Sequence, residues 1–544
     1  MLKKKITLSV LLILTSVFLM LIYLSVRVFT FTIIEALWYE KLVASMLLLS
    51  EIFIMIHGMG YAFEILKVLL KEEDKEKEKK YILKSHPKVL IVIPSYNEPI
   101  NVLEETIISC YNLSYENKHI ILLDDTKYDQ DLNEVIAYQK SVEELCKRRK
   151  IGLFRRKWRG AKAGIINDFL DYIHGRMKKE FSYREFGEKT SFEKGKYMVV
   201  FDADQKAFVD FIENLVFLME EDPKLAFVQT PQYYTNMDNK VARAAMLQQA
   251  VFYEFISEGK GISGAMISCG TNGILRIKAL EEVGGFEENS LTEDFATSFK
   301  LQLNNWSTLY YNKVKVFGLG PESLKSYYKQ QYRWAFGTIS LFKNWIKEFI
   351  KNPKKMSFVA WWEYFLSCSY YFTGFVFFVF MICPILFLLF NVPSYFLNMK
   401  VYSAFFLPYF VVTIFVYYGT LRKRGYTVRE LMYGQGLLYD SFYIYMKAAM
   451  AALFNRKRKF ELTAKSKEKI LPLYLLWPQL LMGSLCFISG VWGINRMYFE
   501  NSNLIPVAVN VFWCFYNCLI LSFILYFNDS LIGKKSNHAL IGKE

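Results

Sequence analysis

Two aspartates one residue apart close the stretch YMVVFDADQKAF, residues 197–208. The apolar run Met198 to Phe201 reads as a buried strand, and Asp202 and Asp204 follow where it ends. Around a turn the two carboxylates face one small space, and like charges that close are costly unless a cation joins them. A hard divalent ion takes oxygen ligands and is completed by substrate phosphates, so the pair points to a Mg²⁺ or Mn²⁺ site for a diphosphate-bearing substrate. RGAKAGIIN (159–167) is a small-residue loop opening a helix, where Lys162 and the helix N-terminus suit phosphate oxygens. SLTEDFATSFKLQ (290–302) sets Glu293 and Asp294 at the start of another helix, and Asp294 reads as a general base aimed at the metal site. In YKQQYRWAFGT (328–338), Gln330, Arg333 and Trp334 share one face of an amphipathic helix. Each stretch alone has an ordinary reading: a solvated acidic turn, a solvated lysine, Thr292 as an N-cap with acids in the first turn, an interfacial helix. All of them together, in this order, favour a site.

These residues need a scaffold, and the flanking pattern supplies one. KVLIVIPSYNEP (88–99), HIILLDD (119–125), YMVVFDAD and LAFVQT (225–230) read as strands. Helical stretches lie between them, from Val102, near 131–150 and near 161–175. Such alternation predicts an α/β domain with a mostly parallel sheet covered on both faces. Ligands bind such sheets at the carboxyl ends of the strands. Three strands end there in polar clusters, at Ser95–Glu98, Asp124–Asp125 and Asp202–Asp204. The charged stretch 176–196 reads as a surface insertion to which no function attaches.

The rest of the 544 residues is apolar in long runs: 6–28, 42–70, 359–390, 402–421, 471–494 and 503–527. Each is able to cross a bilayer as a helix, which predicts six spans with a soluble block, roughly 81–355, after the second. The formal charge of +15 crowds at the N-terminus, 71–80, 422–429, 455–459, and Lys534 and Lys535. The positive-inside rule then places both termini and the soluble block in the cytoplasm, at the plasma membrane. The same placement at membrane borders argues against nucleic acid as the partner. Eight scattered cysteines form no CxxC pair, and five dispersed histidines have no metal-ligand spacing.

In their order the motifs resemble those of the processive family-2 glycosyltransferases that include cellulose synthase, with hyaluronan and chitin synthases more distant. The matching residues are Asp124-Asp125, Lys162-Ala163-Gly164, Asp202-Ala203-Asp204, Thr292-Glu293-Asp294 and the Gln330-to-Trp334 run. FVQTPQYY (227–234), SCGTNGILR (268–276) and FELTAK (460–465) extend the likeness over roughly 81–470. The resemblance implies a GT-A fold for 81–324, set in a membrane domain of about six helices. Residues 1–80 would carry two spans, 325–358 interfacial helices, and 359–544 the channel-forming remainder with a gating loop near 456–467. It implies UDP-glucose as donor, held by Asp124, Asp125, Lys162 and Asp202, with Asp204 on the metal and Asp294 as the base. Glu293, Gln330, Arg333, Trp334 and Cys269 would face the acceptor and leaving group, and Phe460, Thr463 and Lys465 would close over the donor. The product would be a growing β-glucan, cellulose or mixed-linkage, moved across the bilayer, with accessory secretion subunits as further partners. Trp361, Trp362, Trp477, Trp492 and Trp513, with Tyr370 and Tyr371, read as an interfacial aromatic belt or as sugar platforms. About 17 residues follow the last span, so no PilZ domain sensing cyclic di-GMP is expected in this chain. Other readings are a synthase of β-mannan, poly-N-acetylglucosamine or a hyaluronan-like polymer, a non-processive lipid-linked sugar transferase, and a non-enzymatic channel with a soluble sensor.

Overall fold

A computed structural model describes residues 2–73, 83–128, 133–160, 162–187, 195–396, 398–454, 470–499 and 504–528. Its soluble part is built on strands β1 (Val89–Ser95), β2 (Lys118–Asp124), β3 (Gly152–Arg155), β4 (Ser182–Glu185) and β5 (Tyr197–Val200). After β6 (Lys206–Ala207) come β7 (Leu225–Gln229), β8 (Tyr233–Tyr234), β9 (Gly273–Arg276), β10 (Ser307–Tyr310) and β11 (Val316–Gly318). The main sheet runs β10-β7-β9-β5-β1-β2-β3-β4, and a small second sheet runs β6-β11-β8.

Side-chain alternation sorts the core onto the two faces of the main sheet. Val89, Ile91 and Ile93 pack with Leu122, Tyr197 and Val199 on one face. Leu90 and Val92 pack with Ile121, Leu123, Met198 and Val200 on the other. Burial on both faces is why these strands read as continuous apolar runs. The sheet is more mixed than the sequence suggests: β9 runs antiparallel to β5 and β7, and β4 antiparallel to β3. Part of the charged stretch 176–196 thus differs from a plain surface insertion. Its residues 182–185 are the edge strand, where Arg184 and Glu185 put charge on an exposed ladder.

Among the described residues six helices are long and apolar enough to cross a membrane: 8–33, 38–71, 358–390, 400–423, 473–499 and 504–527. They agree with the expected runs to within a few residues. The first, second and fourth pack through Ile13, Ala62, Met20, Met55, Tyr409 and Val416. The third, fifth and sixth pack through Met381, Leu388, Met482, Cys486, Cys514 and Leu521. Two further helices, Val428–Asp440 and Phe442–Leu453, lie between the fourth and fifth of the six, where the sequence reading named the basic stretch 422–429 and assigned no helix. Their start was legible, because Thr427 and Glu430 form a capping box. A 28-residue helix, Leu324–Lys351, joins the soluble part to the third span. Its last turns lean on that span: Trp345 stacks on Phe349, and both meet Trp361 edge-on. Trp361 is buried in this joint, so it is packing and not a sugar platform. On the other side Lys260, just ahead of the Cys269 segment, donates to the Glu363 carbonyl at 2.7 Å and pairs with its carboxylate at 3.1 Å.

Candidate active site

The strand ends and the long helix enclose a cleft of about 1660 Å³. Where β5 leaves the core, the Asp202 amide donates to Thr271 Oγ1 at 3.0 Å, and the Gln205 amide turns back to the Asp202 carbonyl at 3.1 Å. Thr106 Oγ1 donates to the Ala203 carbonyl at 2.7 Å. These bonds fix the turn so that Asp202 and Asp204 both line the cleft.

Lys162 opens the helix Lys162–Ile173, and its ammonium donates to Asp202 Oδ1 at 2.5 Å and to the Gly270 carbonyl at 2.7 Å. Burial alone would lower its pKa; Asp202, Glu293 and Asp294 outweigh that and hold the ammonium charged. Gly270 has φ of +78°, and a Cβ there would stand 2.8 Å from Asp294 Oδ2. Only glycine therefore allows the turn after Cys269 to close on Asp294. Asp294 Oδ1 accepts from the Phe295 amide at 2.8 Å. Burial, then the neighbouring Glu293, pushes the Asp294 carboxyl up to about 7, against the pull of Lys162 and Arg333. Thr292 does not cap its helix through its side chain. It is packed on the long helix, where a Cβ on Gly337 would come within 2.6 Å of Thr292 Oγ1. The Thr-Glu-Asp turn is thus a contact surface for the helix that carries Gln330, Arg333 and Trp334, all three of which line the cleft. Cys269 lines it too, and burial, then Asp294, pushes its thiol up to about 12, so it is a neutral wall and not a nucleophile.

Most of the expected residues meet here: Asp125, Lys162, Asp202, Asp204, Cys269, Glu293, Asp294, Gln330, Arg333 and Trp334. Asp124 does not. Its carboxylate is buried below the cleft and accepts from Arg155 Nε at 2.8 Å and Tyr128 at 2.6 Å. Phe460, Thr463 and Lys465 lie outside the described residues. Among the described residues no three His, Cys, Asp or Glu converge on a point. Asp202 and Asp204 are a two-carboxylate donor set, which fits a cation that takes its other oxygens from a diphosphate. Arg155 and Arg156 were missed as partners of Asp124 and Asp125. The available signal was a pair of cations ending β3, the strand in register beside β2.

The chain matches two family models, Glycosyl transferase family 2 over 90–284 and Glycosyl transferase family group 2 over 197–418. It is 25% identical over 452 residues to the UDP-forming cellulose synthase catalytic subunit of Pseudomonas fluorescens (strain SBW25), covering 80% of this chain and 56% of that one. It is 27% identical over 299 residues to a probable glucomannan 4-beta-mannosyltransferase of Arabidopsis thaliana, covering 53% and 49%. A solved structure of a Pyrobaculum calidifontis mannosyltransferase in complex with GDP-Man and Mn²⁺ is similar with a TM-score of 0.44 at 15% identity, covering 75% of this chain and 100% of that chain. The chain spans from just over half to about a quarter of the length of the first curated relatives it matches.

Proposed function

We propose that the chain is a cellulose synthase-like glycosyltransferase of family 2 with membrane-spanning helices, that it polymerises UDP-glucose into a β-glucan, and that it passes the product across the membrane. One observation carries this reading. A buried carboxyl near neutrality, Asp294, shares one cleft with a lysine-backed carboxylate pair and with Arg333 and Trp334.

The acceptor hydroxyl attacks the anomeric carbon of the donor, and its proton passes to Asp294. The bond from that carbon to the diphosphate oxygen breaks, and its electron pair leaves with the nucleoside diphosphate. A single displacement inverts the carbon, so an α-linked donor gives a β-linked product. The leaving group gains negative charge, which Lys162 and Arg333 stabilise from fixed positions. A divalent cation held by Asp202 and Asp204 supplies further charge to the diphosphate when bound. Trp334 offers a flat apolar face to the acceptor sugar. Asp125 serves the nucleoside side, with Asp124 supporting it from below.

The cleft belongs to the segment 81–324, roofed by 325–358, and the basic borders of the spans favour a cytoplasmic position for both termini and for this segment. A second reading is a β-mannan synthase using GDP-mannose, favoured by the similarity to the glucomannan mannosyltransferase. Product analysis separates the two. The protein in nanodiscs is given labelled UDP-glucose or GDP-mannose with Mg²⁺ or Mn²⁺, with chelator and Asp294→Asn as controls. Label in polymer that yields to β-glucanase supports the first reading. Label only from GDP-mannose supports the second, and label unaffected by Asp294→Asn overturns the mechanism.

A further inference from the structure

A line of ion pairs leads from the nucleoside side of the cleft to the loop that precedes Asp294. Arg156, with 1% of its side chain exposed, pairs with Asp125 at 2.9 Å and with Asp168 at 3.1 Å. Its Nη2 also donates to the Gly160 carbonyl at 3.1 Å. Asp168 in turn accepts from Arg159, Nε at 2.9 Å and Nη2 at 3.0 Å. Arg159 grips Glu288 with both Nη atoms, Nη2 at 2.9 Å from Oε1. Glu288 belongs to the loop wall of the cleft, and Asn167 holds the same loop through the Phe286 amide and carbonyl. The glycine of Lys162-Ala163-Gly164 is explained by this line. A Cβ on Gly164 would lie 3.1 Å from Arg156 Nη2, so the helix rests directly on the guanidinium. Burying a guanidinium between two carboxylates, with its Nε unpartnered among the described residues, costs stability that an apolar side chain would not. What the planar fork supplies in return is fixed geometry.

We propose that Arg156, Asp168, Arg159 and Glu288 are positioning residues that couple nucleotide binding at Asp125 to the ordering of segment 286–294, and so to the placement of Asp294. The nucleotide part rests on the donor reading above; the link between Arg156 and the segment does not. Lysine at position 156 keeps the charge but cannot fork between two carboxylates.

Amide hydrogen exchange of the full chain in nanodiscs, with and without UDP or GDP, tests both parts. Without nucleotide, Arg156→Lys is expected to raise exchange across 286–294 several-fold while strand 89–95 and the thermal midpoint stay as in the unsubstituted protein. Unchanged exchange in 286–294 overturns the link whatever the donor is. With saturating UDP, the unsubstituted protein is expected to slow exchange in 286–294 about tenfold, the scale of a coupling near 1.4 kcal/mol. Glu288→Gln is expected to bind UDP within threefold of the unsubstituted protein yet lose that slowing, and Arg156→Lys to bind UDP about tenfold more weakly. Retention of the slowing in Glu288→Gln overturns the coupling. Binding of neither UDP nor GDP by the unsubstituted protein overturns the donor reading, while the nucleotide-free comparison still decides the link.

Discussion

The two sides of the cleft are finished to different degrees. On the donor side three carboxylates that the strands deliver meet a cation: Asp124 meets Arg155, Asp125 meets Arg156, Asp202 meets Lys162. Unpartnered buried polar atoms of described residues occur on both sides, Ser95 Oγ and Arg156 Nε on the donor side, but toward the membrane helices they include a whole carboxylate. Among the described residues Gln330 Oε1, Gln331 Nε2, Gln479 Oε1 and both carboxylate oxygens of Asp440 have no hydrogen-bond partner. Each such group costs about 1–3 kcal/mol when buried alone. Of the groups toward the membrane helices only Gln330 lines the cleft, so it alone is placed to meet an acceptor hydroxyl under the proposed function. Under the proposed function one substrate arrives in the same pose each cycle and the other advances.

The contrast can be broken most sharply at the boundary. Asp294→Asn is expected to lower kcat by about 10³-fold, the loss of a general base, while UDP affinity measured by calorimetry stays within threefold. An equal loss of affinity would make Asp294 part of the donor side. Lys162→Met leaves Asp202 without its nearest cation and is expected to lower kcat/KM by about 10²-fold. If KM alone moves, Lys162 binds the ground state and not the departing diphosphate. The pH profile is the third test. Because the Asp294 carboxyl sits at about 7, it is protonated and idle below that pH and competent above it. In single-turnover measurements the rate is expected to fall about tenfold per unit below that point and to be flat above it, with the dependence lost in Asp294→Asn. The smallest effect is expected at Asp440, packed beside the fifth apolar helix. Burial pushes the Asp440 carboxyl far up, so it is neutral, and Asp440→Asn is expected to leave the thermal midpoint unchanged or slightly raised. A drop of several degrees in differential scanning calorimetry would show that Asp440 carries a charge with a partner.

What could be read from the sequence followed from local patterns. Continuous apolar runs gave β1, β2, β5 and β7, and the short polar groups after them lie at one edge, as the strand direction requires. Asp202, Lys162 and Asp294 stood out because each sits at a strand or helix end, a place where charge needs a reason, and Arg333 because it shares a helix face with Gln330 and Trp334. Arg156, Asp168 and Glu288 did not stand out. A charge buried by tertiary pairing looks in sequence like any surface charge, and only the fold brings residues 125, 156, 168 and 288 together. Asp124 failed for the complementary reason: it neighbours a cleft residue in sequence, but strand alternation turns its side chain to Arg155. β9 and β10 were missed because their flanks, the Cys269 turn and the Trp306 loop, carry function and packing in place of ordinary strand punctuation.

The long helix has one more implication. At 1.5 Å per residue, Leu324–Lys351 is a rod of about 42 Å. One end is wedged against the third span by Trp345 and Phe349; midway, at Gly337, it touches the turn that holds Asp294. A stiff beam fixed at one end and bearing on a catalytic turn near its middle is a lever. Hydrophobic mismatch is one cause of span tilt, and a tilt of the third span would be carried along this beam to the Thr292 turn. For such a molecule the choice of bilayer belongs with pH and metal among the conditions of the reaction.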